Sequence, residues 1–174
     1  KNGYSAIQLG FGSRQVKNVT KPVLGTLKEA GCQDNPPAWI KEIRLEDDTD
    51  QAVGTQLTAE IFNKNEFVDV TGITKGRGFQ GVVRRFNFGG GRATHGGDWM
   101  RRPGSIGMCE FPGKVYKGRK MPGHMGNIKR TVQNLQVVDV VVDDNILLIK
   151  GGIPGPNGGN VVIRAARKKS GGTE

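Results

Sequence analysis

The sequence predicts a mainly β protein, an antiparallel barrel or sandwich, that is interrupted by a long basic, glycine-rich extension with little regular structure. Short alternating or β-branched stretches, separated by turn residues, lie on both sides of the middle of the chain, as is typical of such folds. The middle, residues 75–130, has few aliphatic side chains and many cationic ones. We therefore assign residues 1–74 and 131–166 to one folded body, 75–130 to the extension, and 167–174 to a disordered basic tail.

Two strands and one helix are predicted in the first 45 residues. Tyr4–Leu9 alternates apolar and polar side chains and is the first strand. Val23–Ala30 is predicted to form a short helix that Gly31 terminates. Trp39–Leu45 is the second strand candidate. The acidic stretch that follows it, Glu46–Asp50, is expected to be a solvated turn.

A hairpin is predicted immediately before the extension. Leu57–Phe62 alternates apolar and polar residues, and Phe67–Ile73 is a second strand-like stretch. The intervening residues 63–65, Asn-Lys-Asn, have turn chemistry. The two stretches are therefore expected to pair with each other.

A second hairpin and a last strand are predicted after the extension. The β-branched run Gln133–Val142 is followed by the turn Asp143–Asn145 and the return strand Ile146–Ile149. Pro154–Gly159 is predicted to be a loop, and Asn160–Arg164 to be the last strand. The candidate core positions on both sides of the extension are Val68, Val70, Leu135, Val137, Val140, Val142, Ile146, Leu148 and Ile149.

The charge of the chain is concentrated in the extension. Residues 75–130 hold 13 of the 26 Lys and Arg but only the acids Asp98 and Glu110, a net charge of +11, while the other 118 residues carry −1. The same segment has 14 of the 28 glycines, 6 of the 11 aromatic residues and five Val, Ile or Leu. So few aliphatic side chains cannot bury enough surface to order the segment by its own core. The excess of positive charge indicates a polyanionic partner.

One glycine motif in the extension has the spacing of a nucleotide-binding loop. Gly76, Gly78 and Gly81 form G-x-G-x-x-G directly after a predicted strand. A dinucleotide site also requires a helix after the motif, within a βαβ unit. Residues 82–91 are β-branched, aromatic and then glycine, so no helix is expected there. A nucleotide-binding enzyme stays an alternative that saturable nucleotide binding would favour.

Neither metal chemistry nor catalysis is predicted. The spacings of His95, Asp98, Cys109 and His124 match no zinc pattern, and two carboxylates in the segment do not provide paired acid–base groups. Cys32 and Cys109 are expected to be free thiols. No run approaches the ~20 apolar residues of a membrane span. We expect that the protein is not an enzyme, that it binds no metal, cofactor or small-molecule substrate, and that it does not contact a membrane.

The basic residues of the extension lie beside aromatic residues and glycines in three clusters, residues 84–86, 99–103 and 114–120. Arginine makes bidentate phosphate contacts, lysine acts as a point charge, and aromatic faces stack on unpaired bases. The chain lacks a helix-turn-helix or zinc-finger pattern for the DNA major groove. A long irregular basic loop instead suits the uneven interior of a folded RNA, so RNA is the expected partner.

The ordered motifs of the chain resemble one family. From about Tyr4 to Arg164 the sequence is similar to the bacterial and organellar type of ribosomal protein L3 of the large subunit. The motifs that carry this resemblance are residues 68–72 (VDVTG), 75–82 (KGRGFQGV), 93–96 (ATHG), 102–107 (RPGSIG), 112–115 (PGKV), 120–126 (KMPGHMG), 131–135 (TVQNL) and 150–155 (KGGIPG).

The resemblance implies an antiparallel β-barrel body with an extension that threads ribosomal RNA towards the peptidyl-transferase centre. The implied partners are large-subunit ribosomal RNA and neighbouring ribosomal proteins, in the cytoplasmic ribosome of a bacterium or in an organellar ribosome. The implied role is structural: early subunit assembly and support of the catalytic RNA. It also implies a tip around Gly78–Val82, and it makes the side-chain amide of Gln80 a candidate for methylation.

Twenty residues of the extension are the expected RNA contacts. They are Lys75, Arg77, Gly78, Phe79, Gln80, Gly81, Arg84, Arg85, Arg92, His95, Trp99, Arg101, Arg102, Lys114, Lys117, Arg119, Lys120, His124, Lys129 and Arg130.

One departure from the family and one further alternative stay open on sequence grounds. Members usually open with further strands that carry a Gly-Met-Thr motif, and this sequence begins where those strands would end, so closure of the barrel is not predicted from these residues. A basic module that binds another RNA or an acidic protein outside the ribosome is the remaining alternative. Binding that resists nuclease would favour an acidic protein.

Overall fold

The computed structural model describes residues 3–45 and 52–169. The predicted turn Glu46–Asp50 and residues 170–174 of the predicted tail lie outside the described residues. The chain divides into two compact units, Lys1–Thr58 and Ala59–Glu174. Each unit contains antiparallel strands, which confirms the prediction of a mainly β, antiparallel protein.

The first unit combines a two-stranded sheet with a helix. Strands β1 (Ala6–Phe11) and β2 (Trp39–Arg44) pair antiparallel, as their alternating side chains predict. A 3₁₀ turn (Val16–Asn18) precedes helix α1 (Lys21–Glu29). This helix begins two residues before the predicted start, because a proline in its first turn already has helical φ.

The second unit is built on a four-stranded antiparallel sheet. Its strands are β3 (Phe67–Ile73), β6 (Lys129–Val141), β7 (Ile146–Lys150) and β8 (Val161–Ala165), in the order β7-β6-β3-β8. The β6–β7 hairpin and the last strand confirm the predictions for this part of the chain. The described strands form open sheets of two, four and two strands.

The core of the second unit lies on one face of this sheet. Val68, Val70 and Val137 are fully buried there, with partly buried side chains such as Leu135 and Ile149 packed around them. Three predicted core positions were wrong: Val142, Ile146 and Leu148 are 45–47% exposed. Strand side chains alternate between faces, so in β7 the side chains of Leu147 and Ile149 pack on the core and those of Ile146 and Leu148 do not.

The hairpin predicted for residues 57–73 is also wrong. Residues Ala59–Ile61 form a 3₁₀ turn instead of a strand. Strand β3 pairs with β6 on one side and β8 on the other, so neither edge is free for a hairpin partner. A hydrogen bond from the Ala59 amide to Asn145 Oδ1, 2.6 Å long, holds the turn in place. Phe62, which follows the turn, packs against the core.

One carboxylate is buried in this sheet. The side chain of Asp69 is 1% exposed and accepts the backbone N–H of Asn134 at 3.0 Å and that of Arg167 at 3.4 Å. Asn134 lies at a bulge in β6, where the register shifts opposite Asp69. Lys169 Nζ lies 3.8 Å from the centre of the Phe67 ring, so the described start of the tail contacts β3.

Replacing Asp69 with alanine is expected to lower the free energy of unfolding by about 2–4 kcal/mol. Two backbone N–H groups lose their acceptor, and an unpaired buried donor costs about 1–3 kcal/mol. Urea unfolding followed by circular dichroism measures the loss. Asp139→Ala is the matched control, because Asp139 forms only an exposed pair with Lys64 at 3.5 Å and should cost less than about 1 kcal/mol. Equal losses for both variants would show that Asp69 has no special structural role.

Candidate RNA interface

The basic extension leaves and re-enters the second unit through a paired ribbon. Beyond the last β3–β6 pair, the Thr74 amide donates to the Ile128 carbonyl at 3.0 Å and the Arg77 amide to the Met125 carbonyl at 2.9 Å. The ribbon ends in two short strands, β4 (Phe79–Gln80) and β5 (Gly123–His124), which pair antiparallel. We call residues 74–81 and 121–128 the root of the extension. The chain therefore leaves and re-enters the sheet through paired strands.

The root contains the residues that the resemblance implies for the tip. Phe79 and Gln80 are paired with residues of β5, and the extension continues beyond them through residues 82–120. Gln80 is half-buried, and its amide Nε2 donates to the Arg77 carbonyl at 2.5 Å. Gly78–Gln80 thus lies at the end of the paired ribbon, and Val82 begins the helix that follows it.

A short helix follows the glycine motif, contrary to the prediction that none forms there. Helix α2 spans Val82–Phe86, with the Arg85 amide bonded to the Gly81 carbonyl at 3.0 Å. It forms because the side chain of Val82 is fully buried, a tertiary contact that outweighs its β-branched preference. Asn87 ends the helix in the left-handed conformation, at φ 58°. The strand pairs of the described residues are antiparallel, so no βαβ nucleotide fold surrounds the motif.

Arg85 links α2 to the returning strand of the root. Its guanidinium donates to the Met121 carbonyl at 2.7 Å and lies 4.9 Å from the centre of the Phe86 ring. A Cβ at Gly123 would lie 2.6 Å from the same guanidinium. Glycine at position 123 therefore makes room for an arginine of the protein itself.

Several glycines of the extension pack against the protein and not against open space. The Gly91 amide donates to the Met100 carbonyl at 3.1 Å. A Cβ at Gly91 would lie 2.8 Å from the Trp99 ring, which is half exposed. Part of the glycine content thus serves internal packing, whereas a Cβ at Gly78 or Gly81 would meet nothing within 4 Å.

Beyond α2 the chain has little regular structure up to β5. Residues 87–122, all of them described, contain no helix and no strand. We call residues 103–120 the distal stretch. Large apolar side chains in it face solvent: Phe111 is 91% and Met108 70% exposed. Such exposure indicates a surface that a partner covers.

The predicted contact residues are accessible. Of the twenty, eighteen are exposed, and Gln80 and Arg85 are half-buried. Among the described residues, the one ion pair of an extension cation joins Arg102 Nη2 to Asp98 Oδ2 at 3.9 Å, with both side chains largely exposed. The positive charge of the extension is therefore left for an external anion. Lys75, Lys114 and Lys117 are typical of this set.

One aromatic residue beside the predicted contacts was missing from the predicted set. The Arg85 guanidinium and Lys120 Nζ both lie over the Phe86 ring, 4.9 Å and 5.7 Å from its centre. Its position directly after two arginines in the sequence was the available signal. Cation–π contacts of this kind hold the two charges beside each other.

Other kinds of site have no support among the described residues. Residues 3–45 and 52–169 contain no group of three or more His, Cys, Asp or Glu that could hold a metal ion. Cys32 and Cys109 are free thiols, as predicted. No helix in the described ranges is long and apolar enough to cross a membrane.

Limited trypsin digestion of the free protein is expected to cut first in the distal stretch and its N-terminal flank, after Arg101, Lys117, Arg119 or Lys120. These side chains are exposed and lie outside helices and strands, where local opening costs least. Cleavage after root residues and within β6–β7 should follow later. Mass spectrometry of the first fragments checks the order. First cuts within the β6–β7 hairpin would contradict it.

Comparison with known proteins places the chain in one family. The family model described as Ribosomal protein L3 matches residues 40–142. The chain is 47% identical to a protein of Brachyspira hyodysenteriae over 97% of this chain and 77% of that one, and 49% identical to one of Vibrio cholerae over 96% and 79%. A protein of Syntrophotalea carbinolica is 46% identical over 97% and 80%. All three are named Large ribosomal subunit protein uL3. The chain therefore belongs to the ribosomal protein L3 family.

Proposed function

We propose that this chain is a structural constituent of the large ribosomal subunit and binds large-subunit ribosomal RNA directly through residues 75–130. The observation that carries the proposal is the net charge of +11 in this segment, together with the single exposed ion pair its described cations make. Family membership supports the same role, because the relatives are named for the large subunit. The chain has a structural role and is not an enzyme.

The root and the distal stretch bind RNA in different ways. The root is ordered by the protein through the β4–β5 pair and the Arg85–Met121 bond, so it presents its cations in a fixed arrangement. The distal stretch has exposed apolar side chains and no regular structure, so it orders where RNA folds around it. Lysines and arginines in both parts replace counterions on the phosphates.

This arrangement supports a role in early assembly and in support of the peptidyl-transferase centre. A body with a long basic extension fixes RNA segments that are distant in sequence, because both ends of the extension are anchored. The body, which we assign to residues 1–74 and 131–166, is left for neighbouring ribosomal proteins. The relatives are bacterial, which supports a bacterial or organellar ribosome as the location.

Co-sedimentation tests the proposal directly. The tagged full-length chain is expressed in a bacterial host, and large subunits are washed in high salt and sedimented. We expect the chain in the large-subunit fraction, and release of the chain after nuclease treatment. A chain that stays at the top of the gradient would overturn the proposal. Binding that survives complete nuclease digestion would instead indicate an acidic protein partner.

A further inference from the structure

An open groove of about 620 Å³ lies at the root of the extension. Basic side chains of both root strands, of α2 and of the start of β6 line it, and no carboxylate side chain is among its described walls. These residues come from four separate places in the sequence, so the groove could not be recognised before the fold was known. Its basic residues are Lys75, Arg77, Arg85, Arg130 and His124.

The same groove has an apolar part. Phe86, Met125 and Ile128 contribute to its wall, and Ile128 is 44% exposed. The Arg85 guanidinium lies over the Phe86 ring at 4.9 Å, and its bond to Met121 uses one of five N–H donors. A planar cation held against an aromatic ring offers both a stacking surface and phosphate donors.

We infer that this groove binds one unpaired nucleotide of RNA. A phosphate alone would need only the cations, whereas a base needs an apolar or planar surface beside them, and the groove has both. An RNA duplex keeps its base faces stacked inside the helix, so they are not available to such a surface. The volume is within the roughly 300–1,000 Å³ of pockets that hold small ligands, enough for one nucleotide and too small for a helix.

The inference rests on the proposed function, since it names the RNA feature that one part of the interface recognises. It predicts that the full-length protein binds single-stranded hexauridylate and that a 12-base-pair RNA duplex does not compete for this site. The double variant Arg77→Gln/Arg130→Gln should lose about tenfold in hexauridylate affinity for each side chain, because each charge-assisted contact is of that size. Fluorescence anisotropy measures the affinity.

The double variant is suited to the test because its backbone bonds stay intact. Arg77 and Arg130 take part in the ribbon and the β3–β6 ladder through main-chain groups, so the fold should not change. Lys17→Gln/Lys28→Gln removes the same charge from the first unit and is the matched control. It should leave the hexauridylate affinity within about twofold of the wild type.

Three results would overturn the inference: equal competition by the duplex, equal competition by inorganic phosphate at the same concentration, or an unchanged affinity of the double variant. Co-sedimentation with large subunits is measured on the same preparations. A wild-type chain that sediments with subunits but does not bind hexauridylate would refute the groove alone. A chain that binds hexauridylate but does not sediment would refute the proposed function.

Discussion

Replacing Arg101, Arg102, Lys117, Arg119 and Lys120 together with glutamine is expected to weaken RNA binding and to flatten its dependence on salt. Removing one phosphate-binding side chain lowers the log–log slope by roughly 0.7–0.9, so removing five lowers it by about 4. The fall in affinity between 50 and 200 mM salt should therefore shrink by about two orders of magnitude. All five side chains are exposed, which makes them accessible to RNA.

The control for this variant removes five lysines outside the extension, Lys17, Lys21, Lys28, Lys41 and Lys64. Filter binding to a large-subunit RNA fragment, repeated over a range of potassium concentrations, gives both slopes. Thermal unfolding of the five-residue extension variant should match the wild type, because its positions lie outside the sheets. If the control flattens the slope as much, the extension is not the main phosphate-binding surface.

Replacing Gly126 with valine is expected to disrupt the root while the four-stranded sheet stays folded. Gly126 has φ +78°, and a Cβ there would overlap the Lys75 carbonyl oxygen. A β-branched residue in this conformation costs of order 1–3 kcal/mol before the clash is counted. Faster hydrogen exchange measures the opening at the Arg77 amide, which donates to the Met125 carbonyl, and at the Met125 amide, which donates to the Gly78 carbonyl. RNA affinity should fall with it, because the root no longer holds its cations in place.

The same substitution at Gly81 is the matched control. Gly81 has φ −71° and ψ 166°, an extended conformation that valine adopts readily, and a Cβ there would meet nothing within 4 Å. Hydrogen exchange and stability of the free protein should therefore be unchanged in Gly81→Val. A loss of RNA binding in this variant would then report direct contact of RNA with Gly81. Opening of the root in both variants would refute the structural reason given for Gly126.

The predictions that succeeded depend on local chemistry. Strands β1, β2, β3 and β6–β7 follow from alternation and turn residues, and the charge of the extension is a property of composition. The exposure of nearly all predicted contact residues also follows from local chemistry, because a lysine or arginine is almost never fully buried unless it is paired. Local signals of this kind do not require knowledge of tertiary contacts.

The predictions that failed depend on contacts between distant residues. Leu57–Phe62 alternates like a strand, but both edges of β3 are already paired. Helix α2 forms because Val82 is buried, which its neighbours in sequence do not indicate. The close approach of Gly91 to Trp99 belongs to the same class. Such features depend on which distant segments contact each other in the fold. The local sequence pattern does not predict those contacts.

The extension is inserted between two strands that are neighbours in the sheet. Thr71 and Thr131 face each other across β3 and β6, 60 residues apart, with their hydroxyls 2.8 Å from each other. Closing a loop becomes harder only with the logarithm of its length, so a loop of half this length would lower the entropic cost by only about 0.6 kcal/mol. Extensions of very different reach can therefore be carried on the same sheet at almost equal stability. Folding speed is affected more, because the central strand pair of the sheet forms only after this long loop has closed.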